Sequence, residues 1–398
     1  GGGTSDESLN WGVAADWDAG TDTRVVHEDF AGGDRQAGTV QLGYPSDLSD
    51  LHLYWHSDEE SGSVAEDPAG GHDGDINGVT KGQTGVLGST GFQYDGSTGD
   101  WIRYENHNDI PQTEFTFAYW IKTTDSGSGM LSYAESGNDN EILIFSPDNI
   151  DFYLEGTSNE SGVSINDGNL HFVVVRWRSS DGQWTLDVDG QRQYTGSVSS
   201  GAGIDTGGSS YIAQEQDNVS GGLNGDQATA GLFDEILWFS AYKSDSFIQD
   251  LYDTASSGTK TTGWKTFSEQ VSPDDLSLEN VQAGLNGQSA TVYVESDTDG
   301  DGLVNETSDA VNLDGSGGPY TVTGLSTSTD KYRLRIELST TDVTATPTVS
   351  NVDLVASVSG SGEPDQNENT HWTIRGGKFD RSGNEFEGGG VTTTFAGD

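Results

Sequence analysis

The sequence predicts an all-β protein, and three observations carry that expectation. Runs such as HFVVVRW and ATVYVE are rich in β-branched and aromatic residues, the composition of strands. They are bounded by clusters of Gly, Asp, Asn and Ser, residues that turn a chain. They also recur along the chain with turn signals between them, as in sandwiches and barrels. Residues 179–182, Ser-Ser-Asp-Gly, separate two such runs and form a hairpin turn, because Asp-Gly tolerates the positive φ that tight hairpins require. One segment departs from the pattern. In SDSFIQDLYDT, Phe247, Ile248, Leu251 and Tyr252 share one face of a helix.

In chain order, residues 1–47 contain WGVAADWDAG and RVVHEDF, with two tryptophans and a short strand candidate. They read as an extended N-terminal arm packing on a neighbour. Residues 48–254 form a large β module. After SSGTKTTG, residues 262–358 form a smaller β-sandwich with strands near 290–295, 320–323, 332–338 and 349–355. Residues 359–398 begin with the linker-like SVSGSGEPDQNEN region, whose Gly, Ser and polar content is flexible. They end in an attachment segment, where Arg375, Lys378 and Arg381 place three of the chain's 17 basic residues within seven positions. Trp372, Phe379 and Phe386 are interleaved with them. On so acidic a chain, Trp372, Arg375, Lys378, Phe379 and Arg381 are expected to dock on another copy.

Four phrases, FQYDGSTGDWIRY, FTFAYWIKT, HFVVVRWRSSDGQWTLDVDG and LFDEILWFSAYKSDSFIQDLY, occur in this order after the lead-in GGHDGDINGVTKGQTGVLG. Their order and spacing resemble the laminin-G-like (LamG) branch of the concanavalin A-like jelly rolls, over roughly 48–254. The resemblance implies a jelly-roll sandwich, here followed by a smaller β-sandwich with extended terminal arms. It also implies recognition of carbohydrate or protein surfaces at a loop edge or on the concave sheet. Sugar binding needs an exposed aromatic face beside polar groups. Trp101 with Arg103, Tyr133, and Tyr211 with Gln214 are the candidates. By the same resemblance Asp234 corresponds to an aspartate that holds a structural calcium, with a backbone ligand from the Asp95–Gly96 turn, while His171 and Trp177 are packing residues.

Composition narrows the function further. With 65 acidic and 17 basic residues, a formal charge of −48 makes the chain repel itself in dilute buffer. In molar salt the Debye length falls to about 3 Å and the repulsion is screened, so the chain reads as salt-adapted. Nucleic acid is excluded as a partner, since a polyphosphate needs a basic patch. The absence of cysteine rules out disulfides, thiolate metal sites and a cysteine nucleophile. No apolar run is long enough to span a membrane, and the Gly-Gly-Gly start without methionine reads as a processed product. The seven histidines show no metal-ligand spacing.

A second calcium candidate is the loop 297–305, DTDGDGLVN. Asp297, Asp299 and Asp301 alternate ahead of the turn at Gly302, and the Leu303 carbonyl and Asn305 continue the pattern. The twelfth position is Ser308, with Asp309 one step late; the alternative is a solvated acidic turn. Glycoside hydrolases on related folds carry a pair of acids on one strand face. In EILIF, 141–145, Glu141 stands alone with Leu143 and Phe145 where partners belong. The expected protein is therefore non-catalytic, extracellular and calcium-bound. It reads as an adhesive or structural component of a halophilic virion (fibre or spike) or cell-surface appendage, a homo-oligomer that binds surface glycans or glycoproteins. A secreted polysaccharide-active hydrolase with Glu141 as its acid, and an architectural subunit that binds no sugar, are the alternatives.

Overall fold

A computed structural model describes residues 4–27, 38–45, 47–359, 371–374 and 393–396. The chain is all-β apart from short helical segments. Its larger module is a jelly-roll sandwich of two eight-stranded sheets. One, here the central sheet, runs Gln191–Ser197, Gln183–Val188, Leu170–Arg178, Glu114–Thr123, Ala230–Phe239, Thr90–Asp95 and Thr80–Thr84, with Leu51–Trp55 also paired to Ala230–Phe239. The other, the open sheet, runs Thr157–Glu160, Asp151–Leu154, Asn138–Phe145, Gly129–Glu135, Gly208–Ile212, Trp101–His107, Gly74–Asn77 and Val64–Ala65. Phe117, Tyr119, Val173, Val175 and Trp238 of the central sheet share a core with Ile102, Leu131, Tyr133, Ile142 and Phe152 of the open one. The Asp-Gly hairpin turns at 179–182 and aligns Trp177 with Trp184.

Strands Glu114–Thr123, Leu170–Arg178 and Ala230–Phe239 are buried almost end to end. Successive side chains point to opposite faces of a sheet, so both faces of this one are covered. Ala118, Trp120, Phe172, Val174, Leu237 and Phe239 enter a second core with Ile248 and Leu251 of the helix Asp245–Thr254. Ser244 caps that helix by accepting the Phe247 N–H at 3.2 Å. The helix start is tied to the sheet by Arg176, whose guanidinium is fully buried. Its Nη2 donates to Asp187 and Asp245, each at 2.8 Å, and its Nη1 donates to the Lys243 carbonyl. A carboxylate in the first turn also opposes the positive end of the helix dipole.

The second core continues into the smaller sandwich. One of its sheets runs Thr4–Trp11, Thr348–Ser359, Ser277–Gly284 and Tyr320–Thr321. The other runs Gly20–Thr23, Ser257–Thr262, Thr329–Ser339, Ser289–Asp297 and Glu306–Thr307, with Lys265–Val271 and Val311–Asn312 paired alongside. The N-terminal residues are thus strands of this sandwich and not an arm laid on a neighbour. Leu9 aligns with Leu354 and Trp11 with Val352, and both Leu9 and Trp11 are buried. Pairing there also covers the exposed edge of a long strand. The jelly roll is inserted between the two halves of the smaller sandwich. Tyr44 joins them: its hydroxyl donates to the Leu251 carbonyl and accepts the Trp120 indole N–H, each at 3.1 Å. In the C-terminal segment, His371–Ile374 pairs antiparallel with Thr393–Ala396, which places Trp372 on a strand. Arg375, Lys378, Phe379 and Arg381 lie outside the described residues.

Two outcomes follow. Trp11→Ala should lower the stability of the full chain by about 3–5 kcal/mol, measured by denaturant unfolding in molar salt; a loss below that of a surface substitution would mean the N-terminal strand is dispensable. The second concerns His171, which faces Asp189 at 2.8 Å and Asp167 at 3.1 Å. The hydrogen bond to Asp189 raises its pKa above the ordinary 6.5. The folded-state pKa exceeds the unfolded one, so this stabilisation is complete below pH 6.5 and disappears as pH rises through the folded value. The stability difference between the native chain and His171→Gln should shrink with rising pH across that window.

Candidate functional site

The open sheet has one face in the core and one exposed, and its register decides what the exposed face presents. Ser132 aligns with Tyr211, Tyr211 with Arg103, and Arg103 with Asp75. These four therefore form a row across neighbouring strands. Trp101, two residues before Arg103, projects from the same face. The Arg103 guanidinium lies 4.8 Å from the Trp101 ring centroid and 6.0 Å from that of Tyr211. It is held in place by Asp75 and Glu105, each at 3.1 Å. The Trp101 and Tyr211 rings meet edge to face at 5.6 Å. Trp101 and Arg103 are half-exposed and Tyr211 is buried beneath them. The result is a small aromatic and cationic platform with carboxylates at its margin.

Beyond Ile212 the chain leaves the sheet through Ala213, which has a left-handed φ of 64°, and folds back over the same face. Gln216 fixes that return. Its Nε2 donates to the Ser209 carbonyl at 2.8 Å and to Ser132 Oγ at 3.2 Å, and its Oε1 accepts from Ser209 Oγ at 2.8 Å. The neighbouring Glu215 is 3% exposed, and its Oε2 has no hydrogen-bond partner among the described residues. Burial, then the charges of Asp217 and Asp139, push its pKa up to about 7. The charges of Asp217, on the same return, and of Asp139, at the start of strand Asn138–Phe145, act on it, but the three carboxylates are not among the described groups whose ligand atoms lie within 4.8 Å of one another. An unsatisfied buried carboxylate is destabilising unless a proton or a cation joins it.

The sites expected from sequence are placed as follows. Trp101, Arg103 and Tyr211 come together. Tyr133 does not join them: it aligns with Ser210, one position out of phase with Tyr211, and is fully buried in the inter-sheet core. Its hydroxyl donates to the Asp205 carbonyl at 2.7 Å. Gln214 is also buried and clamps a loop, donating to the carbonyls of Ser97 and Asp100, each at 2.8 Å. Asp234 is buried with its two carboxylate oxygens accepting main-chain N–H groups, from Val86 at 2.7 Å and Glu235 at 2.9 Å. The strand register aligns Asp95 with Ala230 and not with Asp234.

In the 297–305 loop, carboxylate oxygens of Asp297, Asp299 and Asp301 lie within 4.8 Å of one another. Lys331 already meets Asp297 at 2.6 Å and, with the N–H groups of Gly302 and Gly300, holds its pKa down at about 2. Asn305 Oδ1 accepts the Thr298 N–H at 2.6 Å, the Leu303 side chain is exposed, and Asp309 accepts from Thr323 at 2.9 Å. Glu141 is buried and braces the loop at Asp205, whose N–H it accepts at 2.7 Å. Sequence reasoning missed Asp139, Glu215 and Asp217. The signal was present in the acid-rich phrases DNE at 139–141 and QEQD at 214–217, from which only Glu141 and Gln214 had been singled out.

With this geometry in hand, comparison with known proteins gives a consistent direction. The Pentaxin family model matches residues 92–274, a range that includes Trp101, Arg103 and Tyr211. Over 154 residues the chain is 29% identical to human neuronal pentraxin-2, covering 37% of this chain and 35% of that protein. Over 125 residues it is 34% identical to human pentraxin-4, covering 29% and 26%. The chain thus spans about a third or less of these relatives. A heptameric SAP-like pentraxin from Limulus polyphemus is a solved structural neighbour, with 20% identity, a TM-score of 0.33, and coverage of 37% of this chain and 73% of that one. The central part of the chain is pentraxin-like in sequence, on a concanavalin A-like jelly roll.

Proposed function

We propose that the chain is a non-catalytic, extracellular adhesion protein whose jelly roll binds glycans through calcium on the exposed face of the open sheet. The observation that carries this reading is the platform of Trp101 and Arg103 over Tyr211, with the buried, unpartnered Glu215 Oε2 on the return that Gln216 pins to Ser132 and Ser209 of the same sheet. Calcium at Glu215 would neutralise that carboxylate and keep coordination positions open, since it takes six to eight oxygens. Vicinal hydroxyls or a carboxylate of a sugar supply such oxygens, and Trp101 offers a ring for the apolar face of the pyranose. Calcium binding is general among pentraxins, the family matched across these residues.

The acidic surface suits an environment of high salt, where its self-repulsion is screened. The fibre or spike reading rests on module order alone, and a calcium-bearing face serves a cell surface as well as a virion. Self-association through Trp372, Arg375, Lys378, Phe379 and Arg381 belongs to the same proposal, supported by their basic and aromatic composition on an acidic chain. The engagement of Glu141 with the Asp205 loop supports a bracing role over an acid catalyst.

Calcium titration by calorimetry in molar salt should show Glu215→Gln binding roughly 10- to 100-fold more weakly than the native chain, with the 297–305 loop left as an independent site. Equal affinity would remove Glu215 from the site. On a glycan array, binding should require calcium and be abolished by a chelator, and Trp101→Ala should lower it by about tenfold; chelator-resistant binding would sink the calcium-bridge reading. Light scattering should show an assembly that dissociates when the chain is ended at Val358, and an unchanged mass would remove the C-terminal segment from self-association.

A further inference from the structure

Three of the seven histidines, unremarkable in sequence, meet at one end of the jelly roll. His52 lies on strand Leu51–Trp55, His72 in the loop before Gly74–Asn77, and His107 at the end of Trp101–His107. A register shift between Glu105 and His107, with Asn106 at a φ of 56°, sets the orientation of His107. Asp109 follows in the next loop. One ligand atom from each of His52, His72, His107 and Asp109 lies within 4.8 Å of the others. His52 Nε2 and His107 Nε2 are 2.7 Å apart, and His72 Nε2 is 2.9 Å from Asp109 Oδ2.

The remaining ring nitrogens of His72 and His107, the two buried histidines of the cluster, are already held. His72 Nδ1 faces Asp67 Oδ2 at 3.1 Å, and His107 Nδ1 faces Ser210 Oγ at 3.1 Å. Asp67 is itself locked by main-chain N–H groups of Tyr54, Ala69, Gly70 and His72 at 2.8–3.0 Å. A carboxylate or hydroxyl on Nδ1, leaving Nε2 aimed inward, is the outer-shell arrangement that orients metal-bound imidazoles. The cluster rests on the rings of Trp238, Tyr104 and Tyr133, which give it a dry floor.

We infer that His52, His72, His107 and Asp109 form a closed tetrahedral site for a borderline divalent transition ion of the zinc class. Three imidazole nitrogens and one carboxylate oxygen suit zinc and not calcium. Around zinc, neighbouring ligand nitrogens stand about 3.3 Å apart, so His52 has to withdraw from His107 by a few tenths of an ångström. His52 is only half-buried and Asp109 is exposed, so the two ligands that adjust are those with room to do so. The ion would cross-link three segments in a chain without disulfides.

The test is calorimetric titration of zinc into the chelator-stripped full chain, with calcium in excess so that the all-oxygen sites are occupied. One equivalent is expected in the native chain. His52→Ala and Asp109→Asn should weaken it by at least about 100-fold and tenfold respectively, and Asp67→Asn, acting through His72, by roughly 10- to 100-fold. Cobalt(II) in place of zinc should give the intense visible absorption of a tetrahedral centre, lost in His52→Ala. Absence of zinc uptake, or uptake unchanged in Asp109→Asn, whose exposed position leaves folding intact, overturns the inference. Because calcium is present throughout, failure here is separable from failure of the Glu215 site.

Discussion

The architecture depends on a sheet that is apolar on both faces. In Glu114–Thr123, Leu170–Arg178 and Ala230–Phe239 hardly any position reaches solvent, so the jelly roll cannot end at its own inter-sheet core. One face is satisfied by the open sheet. The other needs the helix, Tyr44 and the smaller sandwich, and Trp120, Val174, Leu237, Leu251, Val292 and Leu354 accordingly lie in one continuous core. Burying that much apolar surface contributes about 25 cal/mol per Å², which is what holds the inserted jelly roll and the sandwich together. Arg176 is the polar counterpart of this contact. A guanidinium removed from water is tolerable only with paired charges; Asp187, Asp245 and the Lys243 carbonyl pair both Nη groups at the helix start, while Nε has no hydrogen-bond partner among the described residues.

Rigidity on one side frees the other for recognition. The outer face of the open sheet is only partly covered, and Trp101 and Arg103 stand there half-exposed without disturbing the core. The return of the chain over that face is pinned by Gln216, Ser132 and Ser209. The proposed binding face would therefore need little ordering on meeting a ligand, which favours affinity.

Much of this was legible in the sequence. The hairpin at 179–182 and the capped helix after Ser244 follow from local chemistry, and they formed where that chemistry places them. The unbroken apolar phrase FTFAYWI also carried the two-sided burial, since a half-exposed strand would alternate. What stayed hidden is pairing. Nothing local says that residues 4–11 align with 348–359, because TSDESLNW is a weak strand phrase until a partner edge is known. Tyr133 and Tyr211 are equally aromatic, and only the register between their strands puts one in the core and the other beneath Arg103. The histidine cluster is assembled from segments distant in sequence, so spacing rules built for local motifs pass over it.

The formal net charge of −48 opposes the compact state through self-repulsion, so the shared core is best judged in molar salt, where that opposition is screened. The most direct test is differential scanning calorimetry of the full chain under those conditions. One transition whose calorimetric and van't Hoff enthalpies agree is the predicted result, since neither the jelly roll nor the smaller sandwich closes its core alone. Two resolved transitions, one for each module, would contradict the account.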